Sequence, residues 1–135
     1  MKFLIILIGL AIATQVSAQS VCVIEQVEGS MIQGMVVSGE DKLYPVKSAS
    51  IKVFRVGQSN REIRKVKSDS DGRFVLGALP NGKFEIAFSY PGTVTLFVPV
   101  RISPKKQEAD IIVKLGVLIG VPCGGGEVEI VADSK

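Results

Sequence analysis

The sequence predicts an all-β domain, an antiparallel β-sandwich of about seven short strands. Three observations carry that expectation. Beyond residue 18, apolar side chains recur with a period of two rather than 3.6 through most of the chain. Clusters of Gly, Pro, Asn and Asp interrupt those runs at the spacing typical of all-β sandwiches. No stretch alternates strand-like with helix-like patterning, so nothing calls for parallel strands linked by helices.

Taken in order, residues 1–18 (MKFLIILIGLAIATQVSA) hold Lys2, an apolar run from Phe3 to Ala13 and the Val16-Ser17-Ala18 triplet. This is the pattern of a secretory signal peptide cleaved after Ala18. The run is shorter than the roughly 20 residues of a membrane span, so no span is expected after cleavage. What remains, about 120 residues, suits one domain with one core. Its expected location is secreted or periplasmic. Residues 19–31 read as an N-terminal lead-in, 32–116 as the sandwich and 117–135 as a C-terminal strand or tail.

Within the sandwich, MIQGMVV (31–37) leads into the turn SGEDK, and SASIKVFRV (48–56) aligns Ala49, Ile51 and Val53 on one face. REIRKVKS (61–68) alternates poorly and reads as an edge or bulged strand. Asp71-Gly72 predicts a hairpin turn, because tight primed turns need the positive φ that Gly adopts at little cost. Arg73 to Leu79 follows as a strand with Phe74 and Leu76 inward, and Pro80-Asn81-Gly82 makes the next turn. KFEIAFSY then places Phe84, Ile86, Phe88 and Tyr90 on one side and Lys83, Glu85, Ala87 and Ser89 on the other, a half-buried antiparallel pattern. After Pro91-Gly92, the run TVTLFVPV aligns Val94, Leu96, Val98 and Val100. DIIVKLGVLIGV (110–121) reads as a strand, or as two short strands joined at Gly116. CGGG predicts a flexible break, and EVEIVA is a candidate last strand or a loose tail.

The formal charge of +3 points to no particular partner. Basic residues concentrate between Arg55 and Arg73, but Glu62, Asp69 and Asp71 are mixed among them. They read as a solvated strand face whose charges discourage edge pairing, and no nucleic-acid partner is expected. Cys22 and Cys123 stand near the two ends of the mature chain. In an oxidising compartment such a pair reads as one disulfide joining the termini.

GMVV (34–37), PVKSASIKV (45–53), SDSDGRFVLGALPNGKFEI (68–86) and SYPG (89–92) together resemble the carboxypeptidase regulatory-like domain. The strongest matches are Asp71-Gly72-Arg73-Phe74, Leu76, Leu79-Pro80, Gly82 and Ile86. The resemblance implies a transthyretin-like Greek-key sandwich that serves as a non-catalytic accessory module, in a group often classed with carbohydrate-binding-like folds. Two positions depart from the family pattern. Ser48 stands where a glycine is usual, and Thr93 where an aromatic is common.

The chemistry points away from catalysis. The chain has no histidine, which removes Ser-His-Asp and Cys-His activation and the usual general base near neutral pH. The transthyretin-related hydrolases look histidine-dependent, so the resemblance does not carry their activity to this chain. Two distant cysteines plus carboxylates make a poor zinc site. Asp69-Ser70-Asp71-Gly72 resembles the start of a calcium loop, but Arg73 and Pro80 fall where oxygen donors are required. The carboxylates Glu85, Glu108, Asp110, Glu127 and Glu129 lie on outward faces or near loops and read as solvated surface rather than a glycosidase pair. No enzymatic activity, metal or cofactor is expected.

Ligand binding by aromatic side chains is the sharper expectation. Sugars stack on exposed rings, and the outward placement of Tyr44, Phe54, Tyr90 and Phe97 is open. Tyr44 and Tyr90 lie near turns and are the possible ligand contacts. The expected function is an exported interaction or structural module with a protein or glycan partner. The alternative is a carbohydrate-binding domain using loop aromatics.

Overall fold

The computed structural model describes residues 22–58, 61–118 and 120–131, and among these the chain forms ten strands in two facing sheets. The first sheet runs β1 (Val27–Gly29), β8 (Leu96–Ile102), β7 (Gly82–Ser89), β4 (Ser50–Arg55) and β5 (Glu62–Lys67). The second runs β10 (Glu127–Ile130), β9 (Ala109–Leu115) and β2 (Ile32–Ser38), whose far side is shared by β3 (Tyr44–Pro45) and β6 (Arg73–Val75). The signal peptide expected over residues 1–18 lies outside the described residues.

The strand count is ten rather than seven, and the extra strands are the short ones. β1 and β3 span too few residues to display an alternation, while β10 forms where the sequence left a strand or a tail open. β6 covers three residues instead of the seven expected from Arg73 to Leu79. Among the described residues past Gly116 there is no second strand before β10. A tight turn over Pro122–Gly125 replaces the flexible break expected at CGGG.

The pairing is also not wholly antiparallel. β2 runs parallel to β9 from Ile32↔Ala109 to Ser38↔Leu115, and β1 runs parallel to β8. Parallel partners need a crossover. Here strands of the opposite sheet supply it, which is why no helix is required.

The Asp71-Gly72 turn is not a hairpin, because β5 and β6 belong to different sheets and the turn carries the chain from one to the other. Gly72 adopts φ +75 there. The Asp69 carboxylate accepts the backbone N–H groups of Asp71 and Arg73, both at 2.9 Å, and the Asp69 carbonyl accepts that of Gly72. Asp69 thus closes its own turn through its side chain. Asn81-Gly82 likewise begins the return to the first sheet.

Two of these crossings meet at Ser68, a buried residue. Its hydroxyl donates to the Val46 carbonyl and accepts the Ala49 N–H at 2.8 Å. Its backbone N–H donates to the Ala49 carbonyl, and its carbonyl accepts the Ser48 N–H. The link from β3 to β4 is thus stitched to the link from β5 to β6.

Between the sheets lies the core. Ile51, Val53, Phe84, Ile86, Phe88, Leu96 and Val98 face inward from the first sheet, and Ile32, Val36, Phe74, Ile111, Val113 and Leu115 face inward from the second. Phe74 meets Phe88 edge-to-face across the gap, with centroids 5.4 Å apart. That geometry suits two quadrupoles and adds to the area buried. Arg55 caps one end of the core, its guanidinium 5.4 Å from the Phe84 ring. A disulfide joins Cys22 to Cys123, with Cα atoms 4.8 Å apart and 101 positions between them in sequence.

Candidate functional site

A polar concavity lies on the outer face of the first sheet, at the end where β5 and β7 finish and β4 and β8 begin. Strand register builds it. Ser50 sits opposite Lys67 on one side and Ser89 on the other. One row along, Lys52 sits opposite Lys65 and Ala87, and Ala87 opposite Phe97. Inward-facing Ile51 and Phe88 force their neighbours outward, so the same alternation that fills the core arrays hydroxyl and ammonium groups on the surface.

The groove measures about 590 Å³ and is open to solvent. Lys65, Lys67, Ser50 and Ser89 form one part of its wall, and Ser48, Thr93 and Thr95 another, with Tyr90 beside the Pro91-Gly92 turn. That turn holds Tyr90 in place. The Thr93 hydroxyl donates to the Tyr90 carbonyl at 2.8 Å and accepts the Tyr90 N–H at 3.2 Å. Thr93, the departure from the aromatic usual in the family pattern, therefore orders the loop through hydrogen bonds. Ser48, the other departure, takes φ 63, a left-handed conformation that costs a residue bearing a Cβ about 1–2 kcal/mol.

The two tyrosines singled out from the sequence are both exposed, but on different sheets. Tyr90 is 42% exposed and lines the groove, ending the core-facing alternation expected to include it. Tyr44 is 55% exposed on β3 opposite Ser38, and the Lys42 ammonium lies 5.6 Å from its ring centre. It does not line the groove. Phe97 is exposed on the same outer face as the groove, while Phe54 is half-buried opposite Glu85. The cysteines form the disulfide already described.

Ser50, Ser89 and Thr95 were not singled out by sequence reasoning, and Lys65 and Lys67 entered it only within the basic stretch read as a solvated strand face. A period-two reading of Ser48, Ser50 and Lys52 puts them on one face, but the identity of the neighbouring strand is a matter of topology. A second, smaller recess of about 240 Å³ lies beside Gly116 and Gly124, with Glu40 and Lys114 as its charged groups. Among the described residues no three Cys, Asp or Glu side chains converge as metal ligands.

The carboxypeptidase regulatory-like domain model matches residues 31–116. No curated protein matches the chain. Among solved structures, the 5-hydroxyisourate hydrolase of Klebsiella pneumoniae is similar at 12% identity and TM-score 0.56, over 76% of this chain and 99% of that one. The major pilin subunit of Bacillus cereus is similar at 15% identity and TM-score 0.47, over 65% of this chain and 30% of that one. An (S)-allantoin synthase aligns at 13% identity and TM-score 0.46, over 77% of this chain and 46% of that one. The first of these likenesses shows a shared transthyretin-like fold. The matched family segment leaves out β1 and β10, which flank it in sequence and pair with strands inside it.

Proposed function

The chain belongs to the carboxypeptidase regulatory-like domain family, and from that premise we propose that it is an exported, non-catalytic β-sandwich module that works by binding. The observation that carries this reading is the distribution of polar groups. Among the described residues Ser68 alone is both buried and polar, and its hydroxyl is committed to the backbone of the fold. Catalysis by protein groups relies on polar side chains held in a desolvated site, where their proton affinities and dipoles are tuned. Here the hydrogen-bonding side chains stand on the surface, in an arrangement suited to contact. The lack of histidine supports the same reading, and the disulfide is compatible with an extracellular location.

A second reading, that the partner is a carbohydrate, is favoured by the groove in which Tyr90 stands among serine and threonine hydroxyls. One experiment separates the readings. Glycan-array binding lost in Tyr90→Ala or Tyr44→Ala supports the carbohydrate reading, whereas a flat array with a protein partner recovered by crosslinking supports a protein-binding module. Turnover of 5-hydroxyisourate or of nitrophenyl esters by the purified chain would overturn the non-catalytic reading.

A further inference from the structure

We propose that the groove beside Tyr90 is a binding site for an acidic saccharide, its carboxylate or sulfate held by Lys65 and Lys67 and its ring laid against Tyr90. The proposal rests on the carbohydrate reading and adds the charge of the ligand to it.

Positive charge gathers on this end of the sheet face. Lys52 and Lys65 are directly opposed across the β4–β5 pair, and Lys67 follows two residues on along the same face. Like charges set opposite one another destabilise a sheet. No carboxylate lines the groove: Glu62 and Glu85 share the outer face but sit one row beyond Lys52, opposite Phe54, and among the described residues neither forms an ion pair with Lys65 or Lys67. A bound anion would relieve this repulsion, and a neutral ligand would not.

Hydroxyl density supplies the second strand of argument. Of the five serine and threonine side chains in the wall, Thr93 alone is hydrogen-bonded to protein among the described residues, so Ser48, Ser50, Ser89 and Thr95 can each donate and accept toward a ligand. Sugars present alternating donors and acceptors on their rims and an apolar C–H face, which matches hydroxyl walls beside a phenol ring. The edge strand β5 carries Lys65 and Lys67, so an acidic peptide paired along that edge is the competing occupant, and the titration below includes one.

Ser48 adds an independent sign. Its left-handed backbone would be relaxed by glycine, yet a hydroxyl-bearing residue stands there and lines the groove. Strain of this kind persists where the side chain serves a purpose other than stability.

The test is isothermal titration of the oxidised chain with trigalacturonate, a chondroitin sulfate tetrasaccharide, a neutral dextran oligosaccharide and a glutamate hexapeptide. The expected result is binding of one or both acidic sugars that weakens with added salt. The double variant Lys65→Gln/Lys67→Gln should lose at least about tenfold in affinity, equivalent to about 1.4 kcal/mol, without a fall in melting temperature. Ser48→Gly should weaken binding while leaving the fold at least as stable, and Lys105→Gln, at the opposite end of the sandwich, should change nothing. Dextran binding indifferent to the lysines would overturn the acidic assignment and leave the carbohydrate reading standing. Preference for the glutamate peptide would replace the saccharide with an acidic protein segment. Failure to bind any of the sugars would overturn both.

Discussion

Ser68 shows how much one side chain can decide in a small sandwich. Its hydroxyl closes two hydrogen bonds between chain segments about twenty positions apart, at the point where both segments pass between sheets. Ser68→Ala leaves the Val46 carbonyl and the Ala49 N–H buried without those partners, and the expected cost is about 1–3 kcal/mol. Urea denaturation checks this: the midpoint should fall with the slope unchanged, whereas Ser70→Ala, on the exposed turn nearby, should stay within about 0.5 kcal/mol of the parent. Nothing local distinguishes Ser68 from Ser70 in KSDSDG, because burial of the former follows from contacts far off in sequence. The exposure of Tyr90 has a related cause. Alternation from Phe84 to Phe88 extends to it by parity, but the chain bends at Pro91-Gly92 and Tyr90 leaves the core plane.

Among the elements, those long enough to show their period were legible. Ile51 and Val53 in β4, Phe84, Ile86 and Phe88 in β7, and Leu96, Val98 and Val100 in β8 all face inward as the alternation requires. β5 lies at a sheet edge, as its mixed charges suggested, and the register shifts between Val53 and Phe54 beside it. The connections were less legible. A turn such as Asp71-Gly72 has the same chemistry whether it joins neighbours in one sheet or carries the chain to the other, so which strands pair is not written in the turn. β10 illustrates the energetic side. It covers one edge of β9, with Val128 set against Val113 and Ile130 against Ile111. A chain ending at Gly126 should expose the backbone of β9, lower the melting temperature and self-associate. Size-exclusion chromatography with light scattering checks this, and a monomer of parental stability would show that β10 is dispensable.

On the scale of the whole molecule, two sheets and one covalent clasp define the fold. Cysteine placement made the clasp legible, since an even pair near the two ends has one partner each, while its effect depends on the long ring it closes. In the chain-entropy account, a loop of about 100 residues contributes up to about 4.7 kcal/mol, so reduction should lower the denaturation midpoint substantially. Thiol titration of the denatured, non-reduced protein should find no free thiol; two would contradict the bond. Strands β1 to β9 all lie within this ring, whereas β10 lies beyond Cys123. Tension applied to the backbone outside the two cysteines therefore passes through the sulfur atoms and leaves the enclosed sheets slack. Under load only β10 would peel away. The rest would behave as an inextensible link, able to lengthen only after a reductant had opened it.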